Sequence, residues 1–186
     1  MELSEYLKRD KSTMYSSCNN FAYLFFNLQS EVGKASEVSN MIDDILADEC
    51  GDILWQSVVL FDFMQIQIPQ PKPFIFVSKE SCFRNIFESM QRINGIIAKA
   101  VRKNVVTFID NNLHICILDV KNGEDFELRN KEFQKMFANI KNELLNFIQL
   151  YYNLLDVCGF DLNVIMQMNI DKLAKRLAKN EIINHV

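Results

Sequence analysis

The chain has 186 residues, enough for one or two small domains with a real core. Hydrophobic residues make up 49% and charged residues 24%, the balance of an ordinary globular protein. The formal net charge of -4 argues against a sequence-independent nucleic-acid binder, which needs a basic face for phosphates.

No early segment joins a basic start to an apolar run and a small-residue cleavage site, so no signal peptide is expected. Apolar runs also fall short of the roughly 20 residues that span a bilayer. The five cysteines (18, 50, 82, 116 and 158) are dispersed and odd in number. That pattern suits reduced thiols in a cytoplasmic protein better than a disulfide framework. With no CxxC pair and only His114 and His185, far apart, a zinc site is not expected.

In chain order, Phe21, Leu24, Phe25, Leu28 and Val32 recur at three- and four-residue intervals, which predicts a helix. A second helix is predicted from about Asp48 to Met64, with Asp48 as its N-cap. All three prolines fall in "IPQPKPF" at 69, 71 and 73, and helices should not cross such a stretch. The chain thus divides into a first helical unit at 1–68, a connector at 69–77 and a second unit at 78–186, packed together.

In the second unit, Phe83, Ile86, Phe87, Met90, Ile93 and Ile97 mark another helix. Two β-rich runs around Asp110-Asn111-Asn112 predict a hairpin near 105–119. A long helix follows from about Glu127 to Cys158, ended by Gly159, and Asp161 caps a last helix. The fold class is all-α, a bundle with one small β-hairpin.

The two halves echo each other. "SEVGKASEV" followed by "ECGD" before the prolines has a counterpart in "SMQRINGIIAKAVRK" followed by "NELLNF" after them. Glu49-x-x-Asp52 then corresponds to Glu143-x-x-Asn146.

Taken in order, "LQSEVGKASEV", "DECGDILWQ" and "GFDLNVIMQMNIDKLAKR" resemble the MazG-like all-α nucleoside triphosphate pyrophosphohydrolases. In that family Glu-x-x-Glu precedes Glu-x-x-Asp, and an Asn-x-x-Lys helix with a following arginine comes last. Glu31 matches the first position, Glu49 and Asp52 the second pair, and Asn169, Lys172 and Arg176 the third element. The matches cover short stretches near 24–56 and 145–177.

The resemblance implies a MazG-like bundle that cleaves a nucleoside triphosphate to monophosphate and pyrophosphate with Mg2+, or Mn2+ in its place. It also implies that Glu31, Glu49 and Asp52 are metal ligands and catalytic residues, and that Asn169, Lys172, Arg176 and Lys34 contact substrate. The internal echo is open to reading as a fused tandem pseudo-dimer, and homodimerisation stays open beside it.

Residues three apart share a helix face, so Glu49 and Asp52 can converge on one hard cation, which prefers oxygen ligands. On spacing alone the reading as solvated surface groups is favoured, and the resemblance turns it toward a metal site. Lys34 departs from the pattern, placing an ammonium where a carboxylate is expected, and a protonated lysine cannot ligate. It either stands in for one metal's charge or, by pairing with an acid, leaves a pseudoenzyme that binds nucleotide or a protein partner. At the corresponding positions the second half carries Ser89, Arg92 and Asn146, so no second metal site is expected. Trp55 reads as core before base-stacking, and Cys50 as a buried thiol before a nucleophile.

Overall fold

The computed structural model describes residues 3, 5, 6, 8, 18–73, 77–118 and 120–179. The middle of the expected connector (74–76), Asp119 beside the hairpin, and His185 lie outside them.

Leu3, Glu5, Tyr6 and Lys8 have helical backbone, and five helices with defined bounds follow. Helix α1 runs Phe21–Glu37, α2 Asp43–Phe63, α3 Lys79–Arg102, α4 Gly123–Cys158 and α5 Leu162–Ala178. Strands β1 (Val106–Ile109) and β2 (Asn112–Ile115) stand between α3 and α4. The architecture is mainly helical with one small sheet, in accord with the all-α expectation.

Each terminus has a local cause. Asn20 accepts a hydrogen bond from the Tyr23 N–H and caps α1. Ser78, Asn122 and Asp161 do the same for α3, α4 and α5. Gly159 stops α4 at φ 71, a left-handed conformation that glycine adopts without a Cβ penalty.

Helix α2 differs from its expected span. It starts at Asp43, about a turn and a half before Asp48, and its N-cap Ile42 makes no side-chain bond. Asp43 and Asp44 in the first turn stabilise that start through the helix dipole instead. Asp48 therefore lies inside the helix and is free for another role. The long helix α4 likewise begins at Gly123 rather than near Glu127, because Asn122 supplies the cap.

The hairpin pairs Val106 with Ile115 and Ile109 with Asn112. Asp110 and Asn111 take φ 48 and 61, the two left-handed positions of a type I′ turn, which short polar residues tolerate. Its tip serves the first helix. The Asn111 carbonyl accepts from the Ala22 N–H at 3.0 Å, and Asn112 Oδ1 from the Phe21 N–H at 3.0 Å. Two donors that the α-helix leaves unpaired at its start are thus satisfied by a distant turn.

Helix α1 packs along α2, α3 along α4, and α5 lies on α2. Helix α2 is buried on nearly every side, from Leu46 through Phe61. One continuous core takes residues from all five helices and the hairpin, including Phe25, Leu28, Ile53, Leu54, Ile86, Leu144 and Ile165. Burying a side chain of that size contributes about 1.5–3 kcal/mol. The proline stretch runs from α2 toward α3 outside any helix, clamped by Gln149, whose amide accepts from Lys72 N and donates to Gln70 O. Among the described residues no helix is long and apolar enough to cross a membrane. All five cysteines are free thiols.

Candidate metal centre

Helix α1 presents Glu31, and α2 presents Glu49 and Asp52 one turn apart. Their carboxylate oxygens lie within 4.8 Å of one another, and all three residues are half-buried. The residues come together because α1 packs along α2, burying Leu28, Val32 and Ala35 of the one and Leu46, Cys50, Ile53 and Leu54 of the other. A solvated surface face would spread these acids apart. Here they converge.

Three carboxylates this close repel. The Glu49 carboxyl is pushed above its ordinary range by burial, and then by the negative charges of Asp52 and Glu31; Lys34 and Lys172 pull it part of the way back. Glu49 Oε2 is buried and has no hydrogen-bond partner among the described residues. An orphaned buried carboxylate oxygen is costly, and a hard cation is the partner that would satisfy it. The donor set therefore fits a divalent ion.

Two ammonium groups flank the cluster. Lys34 Nζ donates to both oxygens of Glu31, at 3.0 and 2.9 Å. Burial disfavours its charged form, but the pull of Glu31, with Glu49 and Asp52 behind it, outweighs that and holds the amine above its ordinary range. Lys172, from α5, donates to Asp48 Oδ2 at 2.8 Å and to Asp52 Oδ2 at 2.7 Å. Four carboxylates (Glu31, Asp48, Glu49 and Asp52) face two ammonium groups. Two negative charges are left over, the charge that one divalent cation cancels.

Asn169 stands differently from the expected substrate contact. It is 2% exposed, and both ends of its amide are engaged: Nδ2 donates to Asp52 Oδ1 at 3.0 Å and Oδ1 accepts from the Tyr6 hydroxyl at 2.9 Å. The cause is close packing of α5 on α2 at Gly51, where an added Cβ would sit 3.1 Å from Asn169 Cβ. Asn169 thus braces Asp52 from behind. Arg176 lies one turn beyond Lys172, half-buried, and makes no ion pair among the described residues.

Two participants escaped sequence reasoning. Tyr6 lies outside every motif stretch, 163 residues from its partner, and no local pattern could have marked it. Asp48 had a signal, the i, i+4 spacing to Asp52, but was assigned to helix capping.

Trp55 is half-buried and packs against the core, with its Nε1 buried and unpartnered among the described residues. Cys50 is fully buried, and burial pushes its thiol far up, so it is no nucleophile. Its carbonyl accepts from the Tyr151 hydroxyl at 2.9 Å, which pins the backbone between Glu49 and Asp52 to α4.

In the second half, Ser89 and Arg92 of α3 face Glu143 of α4. Arg92 Nε bonds Glu143 Oε2 at 2.9 Å, and Ser89 Oγ reaches the same oxygen at 3.2 Å. Side-chain donors already hold that carboxylate, and Asn146 is exposed. No group of acids that could hold a metal forms there among the described residues. No family model, no curated protein and no solved structure matches this chain.

Proposed function

We propose that this chain is a divalent-cation-dependent hydrolase of nucleoside triphosphates, releasing pyrophosphate, with Glu31, Glu49 and Asp52 as the cation ligands. One observation carries the reading: three carboxylates from two helices converge, and one of their oxygens is buried without a hydrogen-bond partner among the described residues. The motif resemblance supplies the reaction class. Mg2+, or Mn2+ in its place, would neutralise the polyphosphate and polarise it toward attack.

The chain's own groups divide the remaining work. A carboxylate of the cluster would take the proton of the attacking water, which the cation would also activate. The water oxygen bonds to the α-phosphorus, and the bond from that phosphorus to the α–β bridging oxygen breaks. Its electron pair leaves on pyrophosphate. Lys172 already holds two carboxylates and can exchange one for a phosphate oxygen, while Arg176 offers a guanidinium from the next turn. Lys34 stands in for the charge of a second ion. The α3–α4 pair, with Arg92 bound to Glu143, is read as a degenerate copy that holds no metal.

A second reading has its own support. The two-point contact of Lys34 on Glu31 engages both oxygens of a ligand, as a pseudoenzyme that binds nucleotide without metal would have it. Pyrophosphate release from a panel of nucleoside triphosphates with Mg2+ or Mn2+ decides. Turnover lost in Glu49→Gln and Asp52→Asn but kept in Glu143→Gln supports the hydrolase. Absence of turnover, with calorimetric nucleotide binding in chelator, supports the pseudoenzyme.

A further inference from the structure

We infer that Tyr6 is a positioning residue for the metal site, acting through Asn169 on Asp52; this rests on reading the acidic cluster as a cation site. The Tyr6 side chain is fully buried and its hydroxyl donates to Asn169 Oδ1 at 2.9 Å. Asn169 Nδ2 donates in turn to Asp52 Oδ1 at 3.0 Å.

The direction of this chain of bonds is set by chemistry. An ionised carboxylate only accepts, so the amide must turn its NH2 toward Asp52. Its oxygen then faces Tyr6, and the phenol must donate. Turning the amide over would set its oxygen against the Asp52 carboxylate, so the relay has one orientation.

The consequence is a fixed carboxylate. Asp52 is held at Oδ1 by Asn169 and at Oδ2 by Lys172 at 2.7 Å. A ligand held by hydrogen bonds behind it meets the ion without having to be reoriented, and such outer-shell partners govern metal affinity. Gly51 is part of the device, because any side chain there would push Asn169 away. Tyr6 is thereby wired to a site whose ligands begin 25 residues later, at Glu31.

The test is a Mn2+ titration of the full chain, followed by electron paramagnetic resonance of the free ion. Wild type, Tyr6→Phe and Tyr152→Phe are compared. Tyr152 is a matched control, a buried tyrosine whose hydroxyl bonds the Pro69 carbonyl at the connector. Tyr6→Phe is expected to weaken Mn2+ binding about tenfold, with Tyr152→Phe unchanged. In turnover, Tyr6→Phe should raise the Mn2+ concentration for half-maximal rate while kcat at saturating Mn2+ stays near wild type. Asn169→Ser cuts the same link from the other end and carries the same expectation should Tyr6→Phe not fold. Equal affinity of wild type and Tyr6→Phe, or equal weakening by Tyr152→Phe, overturns the inference. A wild type that binds no Mn2+ overturns the cation-site reading itself, and the role of Tyr6 falls with it.

Discussion

Lys34→Glu places a carboxylate where the pattern that the sequence resembles has one, and its effect on stability should depend on metal. In wild type the ammonium sits 2.9 Å from Glu31 with its side chain 53% exposed. At an effective dielectric of about 20 the bare Coulomb energy of such a contact is near 6 kcal/mol. Exposure and side-chain entropy reduce a pair of this kind to about 0.2–1 kcal/mol. The substitution removes that contribution and adds repulsion from Glu31, Glu49 and Asp52. A total loss of about 2 kcal/mol is expected in chelator, or roughly 4–8 °C in Tm for a chain this size.

A fifth carboxylate is also a further ligand. At a Mn2+ concentration 100 times the Kd each bound ion contributes about 2.7 kcal/mol, so a second ion held by the variant alone offsets the loss. Thermal melts followed by circular dichroism, with chelator and with Mn2+, read both arms, and calorimetry counts the ions. The variant should melt below wild type in chelator, recover in Mn2+, and bind more tightly or take a second ion. A variant that melts no lower in chelator, or whose deficit Mn2+ leaves untouched, refutes the electrostatic reasoning.

Other expectations follow from the same geometry. Gly51→Ala places a Cβ 3.1 Å from an Asn169 that is tethered at both ends and cannot yield. Overpacking of about 1–3 kcal/mol exceeds the roughly 1 kcal/mol gained in helix propensity, so urea denaturation should show net destabilisation. Lys172→Met leaves Asp48 and Asp52 without their shared cation and removes the donor proposed for a phosphate oxygen. Its nucleotide KM should rise about tenfold or more, the worth of one charge-assisted hydrogen bond. In chelator, Glu49 holds its proton more tightly in the folded than in the unfolded chain. Stability should therefore be greatest at acid pH with respect to this group, and fall as pH rises from its ordinary 4.5 through its raised folded value. Melts of Glu49→Gln across that window should lack this component.

What the sequence carried and what it withheld have different physical origins. Helix-period stripes such as Phe21–Leu24–Phe25–Leu28 and caps such as Asn122 and Asp161 are local, so elements and most ends could be read along the chain. Glu49 and Asp52 were legible as a pair because three residues fix a common helix face, and Glu31 joined them through the motif order. The packing of α5 was not legible. It depends on Gly51 meeting Asn169 across more than a hundred residues, and that contact turns an expected substrate ligand into a buried brace. Tyr6 shows the same limit, since its partner is chosen only by the folded chain. The start of α2 was missed for a smaller reason: Asp48 offers a good cap chemically, while the actual cap position holds Ile42, which offers none.

The central claim, that the acidic cluster serves α–β cleavage of a nucleoside triphosphate, is tested most directly by 31P nuclear magnetic resonance of a reaction run in 18O-labelled water with Mg2+. Monophosphate and pyrophosphate should appear in equal amounts, with the isotope on the monophosphate and no signal from Glu49→Gln. Orthophosphate as the first product, or equal turnover by Glu49→Gln, would contradict it.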